Sequence, residues 1–322
     1  MFQELSQLED TLSVQHVSRK KAMILIGSFF NFWDEEYVAQ TFESLGWTVK
    51  RFEAANTTSQ QIIDEINGGN YRFLLTVNRE LRDGNFRDLL GKLTTVFWLF
   101  DIYFGTQREP LVKTNPRFQC NYVFTTDGGG NHQYLFEKAG VHHFCLRQGI
   151  CEADAYLGEK KKEFEKDIVF VGTINSIDPN RDKLVSFLQN TYGERFKWYG
   201  KTGPNEIRGK DLNDLYASVK IVVGDSCFSP CYWSVRLYDV LGRGGFLLFP
   251  DIPGLNREFV YYEHLVPYIP SILYEDLQKK IDYYLEHDEE REKIRLAGFQ
   301  YCKEHYNFKL RCQKLLETIK EL

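Results

Sequence analysis

The chain has 322 residues, 43% hydrophobic and 26% charged, with a formal net charge of −5. That length and composition suit a globular protein of two ordinary domains, each able to bury a full core. The acidic balance argues against a general nucleic-acid coat, which needs a basic excess, and no stretch reaches the roughly 20 apolar residues of a membrane span.

Residues 1–21 mix Glu, Gln, Asp and Lys with spaced Phe2, Leu5, Leu8 and Leu12. This reads as an amphipathic helix and not as a signal peptide. Short apolar runs then follow at 22–27, 48–52, 73–77, 96–100, 122–125 and 143–146, with helical stretches such as 35–45 and 59–66 between them. Such alternation predicts βαβ units and a buried parallel sheet. Gly128-Gly-Gly130 follows one strand and is a weak phosphate-loop signal. Phe and Tyr are expected to fill the cores, since aromatics reach 15% and Met numbers only 2.

A charged run at 159–167 separates the halves, and the pattern restarts with runs at 168–171, 195–199, 221–223, 246–249 and 265–268. Four of these end in Gly, Thr, Asp or Pro, where open α/β sheets bind ligands. Neither GxGxxG nor GxxxxGK[ST] occurs, against a dinucleotide dehydrogenase or a P-loop protein. Helices are expected at 276–286, 289–302 and 308–319. The expected class is therefore α/β with two Rossmann-like domains, 1–158 and 165–304. The last helix, about 305–322, is a candidate to pack back on the first.

The most informative stretch is residues 231–250. It reads as a polar loop, a short helix, a Gly-Gly break and a strand. Ser234 is expected at or near the helix N-terminus, where free N–H groups suit a diphosphate. Arg236 in the first turn adds a charge-assisted grip. Asp239, one turn on, offers a carboxylate to a ribose. Gly242 is expected as the C-cap. From local pattern alone, the same residues equally make an ordinary helix–strand joint with a surface Arg–Asp pair.

The ordered blocks of the second half resemble the GT-B glycosyltransferases, and within them the spore-maturation CgeB-like group. The blocks are 167–173 with Arg181, Trp198-Tyr-Gly200, Ser234-Val-Arg-Leu-Tyr-Asp239 with 244–248, Pro253-Gly254 with Glu258-Phe259, 283–288 with Arg291, and Ala297-Gly298, His305-Tyr306 and Arg311. They cover roughly 165–315. The first half matches in outline, through Trp98 to Asp101. Asp239 departs from the group, which usually has Glu there.

This resemblance implies metal-independent transfer of a sugar from a nucleoside-diphosphate donor, UDP-linked in preference to GDP-linked, to an acceptor hydroxyl, with no cofactor beyond the donor itself. It implies donor contacts from Gly172, Thr173, Tyr199, Gly200, Ser234, Arg236 and Asp239. Arg181 and Lys201 are further candidates, and Tyr199 equally suits the core. An inverting enzyme needs a base in the first domain. Asp101 is the first candidate and Asp127 the second, with His132 and Asp34 behind them.

The acceptor stays open between glycan, protein, small molecule and modified DNA base. Arg72, Arg79, Arg82, Arg87 and Lys92 form a basic cluster in the first half that is equally an ordinary solvated face. A non-catalytic nucleotide-sugar or glycan binder on the same fold is the competing class, as is an epimerase- or phosphorylase-like enzyme on a similar scaffold. The seven scattered cysteines form no CxxC pair, and Cys227 and Cys231 lack partners for a zinc set. They read as free thiols in a reducing cytoplasm.

Overall fold

The computed structural model describes residues 21–101, 118–126, 128, 131–174, 180–200 and 206–321. The expectations for residues 1–20, Asp127, Lys201 and Gly129-Gly130 lie outside the described residues, as does the side chain of His132.

Six strands build the first sheet: β1 (Ala22–Gly27), β2 (Thr48–Glu53), β3 (Phe73–Val77), β4 (Thr94–Leu99), β5 (Tyr122–Thr125) and β6 (His142–Cys145). All pairs are parallel, in the order β2-β1-β3-β4-β5-β6. Every residue of β1 and β3 is buried, as a central strand covered on both faces requires. Helices α1 (Asp34–Ser44), α2 (Ser59–Gly68) and α3 (Asn131–Lys138) connect the strands. A capping box between Thr58 and Gln61 starts α2, satisfying two backbone donors at once.

The second sheet has five parallel strands: β7 (Lys166–Val171), β8 (Phe196–Tyr199), β9 (Val219–Val223), β10 (Leu247–Pro250) and β11 (Val266–Tyr268). Their order is β11-β10-β9-β7-β8. Around them lie α4 (Asn180–Tyr192), α5 (Gly209–Ser218), α6 (Arg236–Gly242), α7 (Glu275–Glu286) and α8 (Asp288–His305). The final helix α9 (Phe308–Glu321) returns to the first sheet, where Phe308, Cys312 and Leu315 share a core with β1, β3 and β4 residues. Aromatic side chains do fill the interior: Trp98, Trp233, Tyr216, Tyr238 and Phe42 are among the largest fully buried groups.

Counted within each sheet, the strand orders are 2-1-3-4-5-6 and 2-1-3-4-5, both doubly wound, and such sheets bind ligands where the order reverses. In the first sheet that point lies between the ends of β1 and β3. In the second it lies between β7 and β9.

The α6–β10 joint differs from expectation by one turn position. Gly242 is the last helical residue, Arg243 is the C-cap, and Gly244 takes the left-handed conformation at φ +77°. The Gly245 N–H donates to Val240 O at 2.8 Å and the Gly244 N–H to Leu241 O at 2.9 Å. This is a Schellman ending, which needs its glycine after the cap. Gly242 is small for another reason: a Cβ there would lie 2.7 Å from Ile150.

Candidate active site

At the reversal point of the second sheet lies a pocket of ≈ 310 Å³. Gly172, Thr173, Tyr199, Gly200, Arg236 and Asp239 all line it, joined by Arg181, Arg208 and Leu212. Residues from three separate strand–helix joints thus converge on one cavity. Tyr199 is 3% exposed and belongs to the core, and its buried hydroxyl has no hydrogen-bond partner among the described residues.

The polar groups of this pocket are more tightly committed than the sequence suggested. Asp225, just beyond β9, accepts from Arg181 Nε at 2.5 Å and pairs with Arg236 Nη1. Arg236 Nε also donates to Val171 O at 2.7 Å. The Arg236 guanidinium lies so close to Gly172 that a Cβ there would collide with Nη2. Arg236 is therefore held at the end of β7 by a carboxylate and a carbonyl, with 13% of its side chain exposed. The Gly172 N–H donates to Tyr199 O, a strand-end bond that uses the donor assigned to a ligand. Ser234 does not open α6 with free donors. Its hydroxyl donates to Asp225 O at 2.9 Å, its N–H donates to the Ser226 hydroxyl, and the helix begins two residues later. Ser234 thus braces the loop that carries Asp225, because that loop's buried carbonyl needs a donor.

Asp239, with 32% of its side chain exposed, stands at the pocket rim. Its Oδ1 accepts from Arg243 Nε at 2.7 Å. Arg243 is 3% exposed and also donates to Asp154 Oδ2 at 2.5 Å and to Asn213 Oδ1. Burial opposes the guanidinium charge, but Asp239 and Asp154 outweigh it and hold Arg243 firmly protonated. Tyr37, on α1, donates to the same Asp154 oxygen. A polar chain therefore runs from a helix on the first sheet, through Asp154, to the carboxylate at the pocket rim.

A second pocket of ≈ 260 Å³ adjoins the first and shares Arg208, Leu212, Val235 and Asp239 with it. Its other wall is the reversal point of the first sheet: Phe32, Trp33, Asp34, Glu35, Asn78, Arg79 and Asp101. The two reversal points thus face each other across one continuous cleft. Arg79 Nε donates to the buried Glu35 at 2.7 Å. Asp34 opens α1, and its pKa is pushed up to about 8 by burial, then by the negative charges of Glu35, Asp101 and Asp239, while Arg208 opposes the rise. Asp101 lies two residues beyond β4 and keeps solvent contact at the cleft. Desolvation by the protein around it still raises its pKa, against the pull of Arg79.

Asp225, Arg208, Arg243 and Asp154 were not singled out from sequence. Arg243 reads there as a lone cation near a helix end, favourable to the dipole and otherwise unremarked. Asp154 sits in a connecting segment whose packing against α5 becomes visible only when Asn213 Nδ2 donates to its carbonyl at 2.9 Å.

Comparison with known proteins agrees with this architecture. Residues 181–317 match a family model described as glycosyl transferase-like. No curated protein matches the sequence. A glycosyltransferase from Rickettsia africae is similar at 12% identity, covering 94% of this chain and 98% of that one, with a TM-score of 0.66. The Anabaena protein HepE, solved with UDP and glucose, is similar at 11% identity over 94% of this chain and 100% of its own, with a TM-score of 0.66. A sucrose-phosphate synthase from Thermosynechococcus elongatus is similar at 9% identity over 94% and 99%, with a TM-score of 0.64. Residues 181–317 are thus similar to the glycosyl transferase-like family, and the chain has the GT-B fold of these structures, with two parallel α/β sheets facing across a cleft.

Proposed function

We propose that the protein transfers a glycosyl group from a nucleoside-diphosphate sugar, UDP-linked in preference to GDP-linked, to an acceptor hydroxyl. One observation carries this reading: the pocket at the β7/β9 reversal point opens, through Arg208, Val235 and Asp239, into a pocket lined by Asp34 and Asp101. Donor and acceptor would then meet where the two pockets join. HepE, of like fold, binds UDP and glucose, which supports the choice of donor.

In this reading Arg236 and Arg208 face the diphosphate and supply the positive charge that its departure needs, without a bound metal. Arg181 steadies Arg236 by sharing Asp225. Asp239 accepts from a ribose hydroxyl. The acceptor oxygen bonds to the anomeric carbon, and the bond from that carbon to the phosphate oxygen breaks, leaving its electron pair on the nucleoside diphosphate. Asp101 takes the acceptor proton. Asp34, raised to about 8, is mostly protonated at neutral pH and serves as a hydrogen-bond donor beside it.

The finer placement in the spore-maturation CgeB-like group rests on the ordered blocks of 165–315. The same cleft supports assigning 165–304 to the donor and 1–158, completed by α9, to the acceptor. None of the seven cysteines is in a disulfide, which supports a reducing cytoplasm. A thermal-shift screen with UDP, GDP and their sugars tests the donor assignment. Saturating UDP, at about 100 times its Kd, stabilises by about 2.7 kcal/mol. No shift with any of them counts against this reading.

A further inference from the structure

We propose that Phe32 and Trp33, between β1 and α1, form a stacking platform for a neutral sugar ring, so that the acceptor is a carbohydrate. This rests on the glycosyltransferase reading and names its acceptor class. The loop Ser28-Phe-Phe-Asn-Phe-Trp33 places four aromatic residues among six. Phe29 packs on the core of the first sheet, whereas Phe30 is 58% and Phe32 44% exposed. Phe30 packs on the Trp33 ring, centroids 5.1 Å apart, and Phe32 and Trp33 line the pocket; an exposed apolar surface at a cleft marks a binding site more often than a packing accident.

The backbone holds Phe32 there under strain. Its φ is +66°, a region that bulky residues avoid and that persists where function over-determines it. Across the cleft its ring lies against Gly209, whose φ is +57°, and a Cβ on Gly209 would sit 2.8 Å from that ring. The ring is thus set between the two sheets, beside Trp33, with Arg79 5.3 Å from the Trp33 ring centre.

Beside the two aromatic groups the pocket carries Asp34, Glu35, Asn78, Arg79 and Asp101, with Leu212 and Val235 on the facing wall. A sugar ring has the matching chemistry. Its C–H face suits the electron-rich face of an aromatic ring, and its hydroxyls both donate and accept to carboxylates, amide and guanidinium. Charge argues against a nucleic acid. Asp34, Glu35, Asp101 and Asp239 offset Arg79, Arg208 and Arg243 among the residues lining this pocket, and polyanion binding needs a cationic surplus. Arg72, Arg82, Arg87 and Lys92 do not line it.

The test is binding of neutral trisaccharides, with gluco, galacto and manno rings in both linkages, followed by saturation-transfer NMR on the wild type and on Phe32→Leu and Phe32→Tyr. UDP titration and melting temperature are measured on the same samples. We expect at least one trisaccharide to bind. Phe32→Leu should weaken it about tenfold, the size of one lost aromatic contact, while Phe32→Tyr retains it and neither variant changes UDP affinity. A wild type that binds none of the sugars, a Leu variant that binds as tightly as wild type, or binding of a DNA duplex in their place overturns the proposal. If the sugars bind in this pattern but UDP does not, the platform stands and the nucleotide-sugar reading fails by itself.

Discussion

Arg243 reaches back one helical turn and holds Asp239 Oδ1 at 2.7 Å, so one oxygen of the carboxylate at the nucleotide-sized pocket is already occupied. The same guanidinium binds Asp154, which also accepts from Tyr37 on the opposite sheet's first helix. The carboxylate's orientation is therefore set by a residue buried between the two sheets.

Removing that guanidinium should be costly. Arg243→Ala leaves the buried Asn213 Oδ1 without its donor and Asp154 Oδ2 with Tyr37 but no cation, and breaking one side of a buried pair costs about 3–5 kcal/mol. Urea unfolding monitored by fluorescence measures it. Arg243→Lys, which keeps the charge but loses the fork, should fall between. A loss under about 1 kcal/mol for Arg243→Ala, the range of exposed pairs, contradicts the structural role.

Asp239→Asn should lower affinity for UDP more than for its 2′-deoxy form. The amide offers one accepting oxygen where the carboxylate offers two, and Arg243 competes for it. Calorimetry on both ligands reads the ratio. An unchanged preference for the ribose would remove Asp239 from sugar recognition.

The sequence was most informative where one physical rule acts locally. Strands 22–27, 73–77 and 122–125 coincide with β1, β3 and β5, because doubly covered strands must be continuously apolar. The run 96–100 is shifted, since Thr94 and Thr95 are polar yet pair with Phe73 and Leu74. Gly172, Thr173, Tyr199, Gly200, Arg236 and Asp239 meet in one pocket because strand ends of a parallel sheet share one edge. What those residues are bonded to was not legible. The Asp225 bridge to Arg181 spans 44 positions and the Arg243–Asp154 bond 89, and no local period reports such pairings. Ser234 shows the cost: a serine before a helix suggests a cap, while its hydroxyl answers to the Asp225 carbonyl.

Asp34 should make stability fall as pH rises. Burial, and then the negative charges of Glu35, Asp101 and Asp239, push its carboxyl up to about 8 in the folded chain, against about 3.9 for a free aspartate side chain. The folded state therefore binds the extra proton between these values, and stability declines through that window. The benefit is complete below the unfolded pKa and gone once pH passes the folded one. Asp34→Asn, which cannot ionise, should melt above wild type at pH 8.5, with the gap closing towards pH 5. A melting difference independent of pH would show that Asp34 titrates normally.

Asp101→Asn should abolish most transfer and leave donor affinity intact. Loss of a general base typically lowers the rate about 10²–10⁴-fold. Release of UDP in the presence of acceptor, donor Kd and melting temperature are read on the same variant. A folded variant with near-normal transfer removes Asp101 as the base and points to Asp127, His132 or a mechanism without a protein base.

The central claim is that a nucleoside diphosphate binds at the β7/β9 reversal point with Arg236 on its phosphates. The most direct measurement is calorimetric titration of UDP and of uridine into wild type and Arg236→Ala. A charge-assisted bond is worth about 1.5–3 kcal/mol, so UDP should bind roughly ten- to a hundredfold more weakly to the variant while uridine changes little. Equal losses for both ligands, or no binding of UDP or GDP to the wild type, would contradict the account.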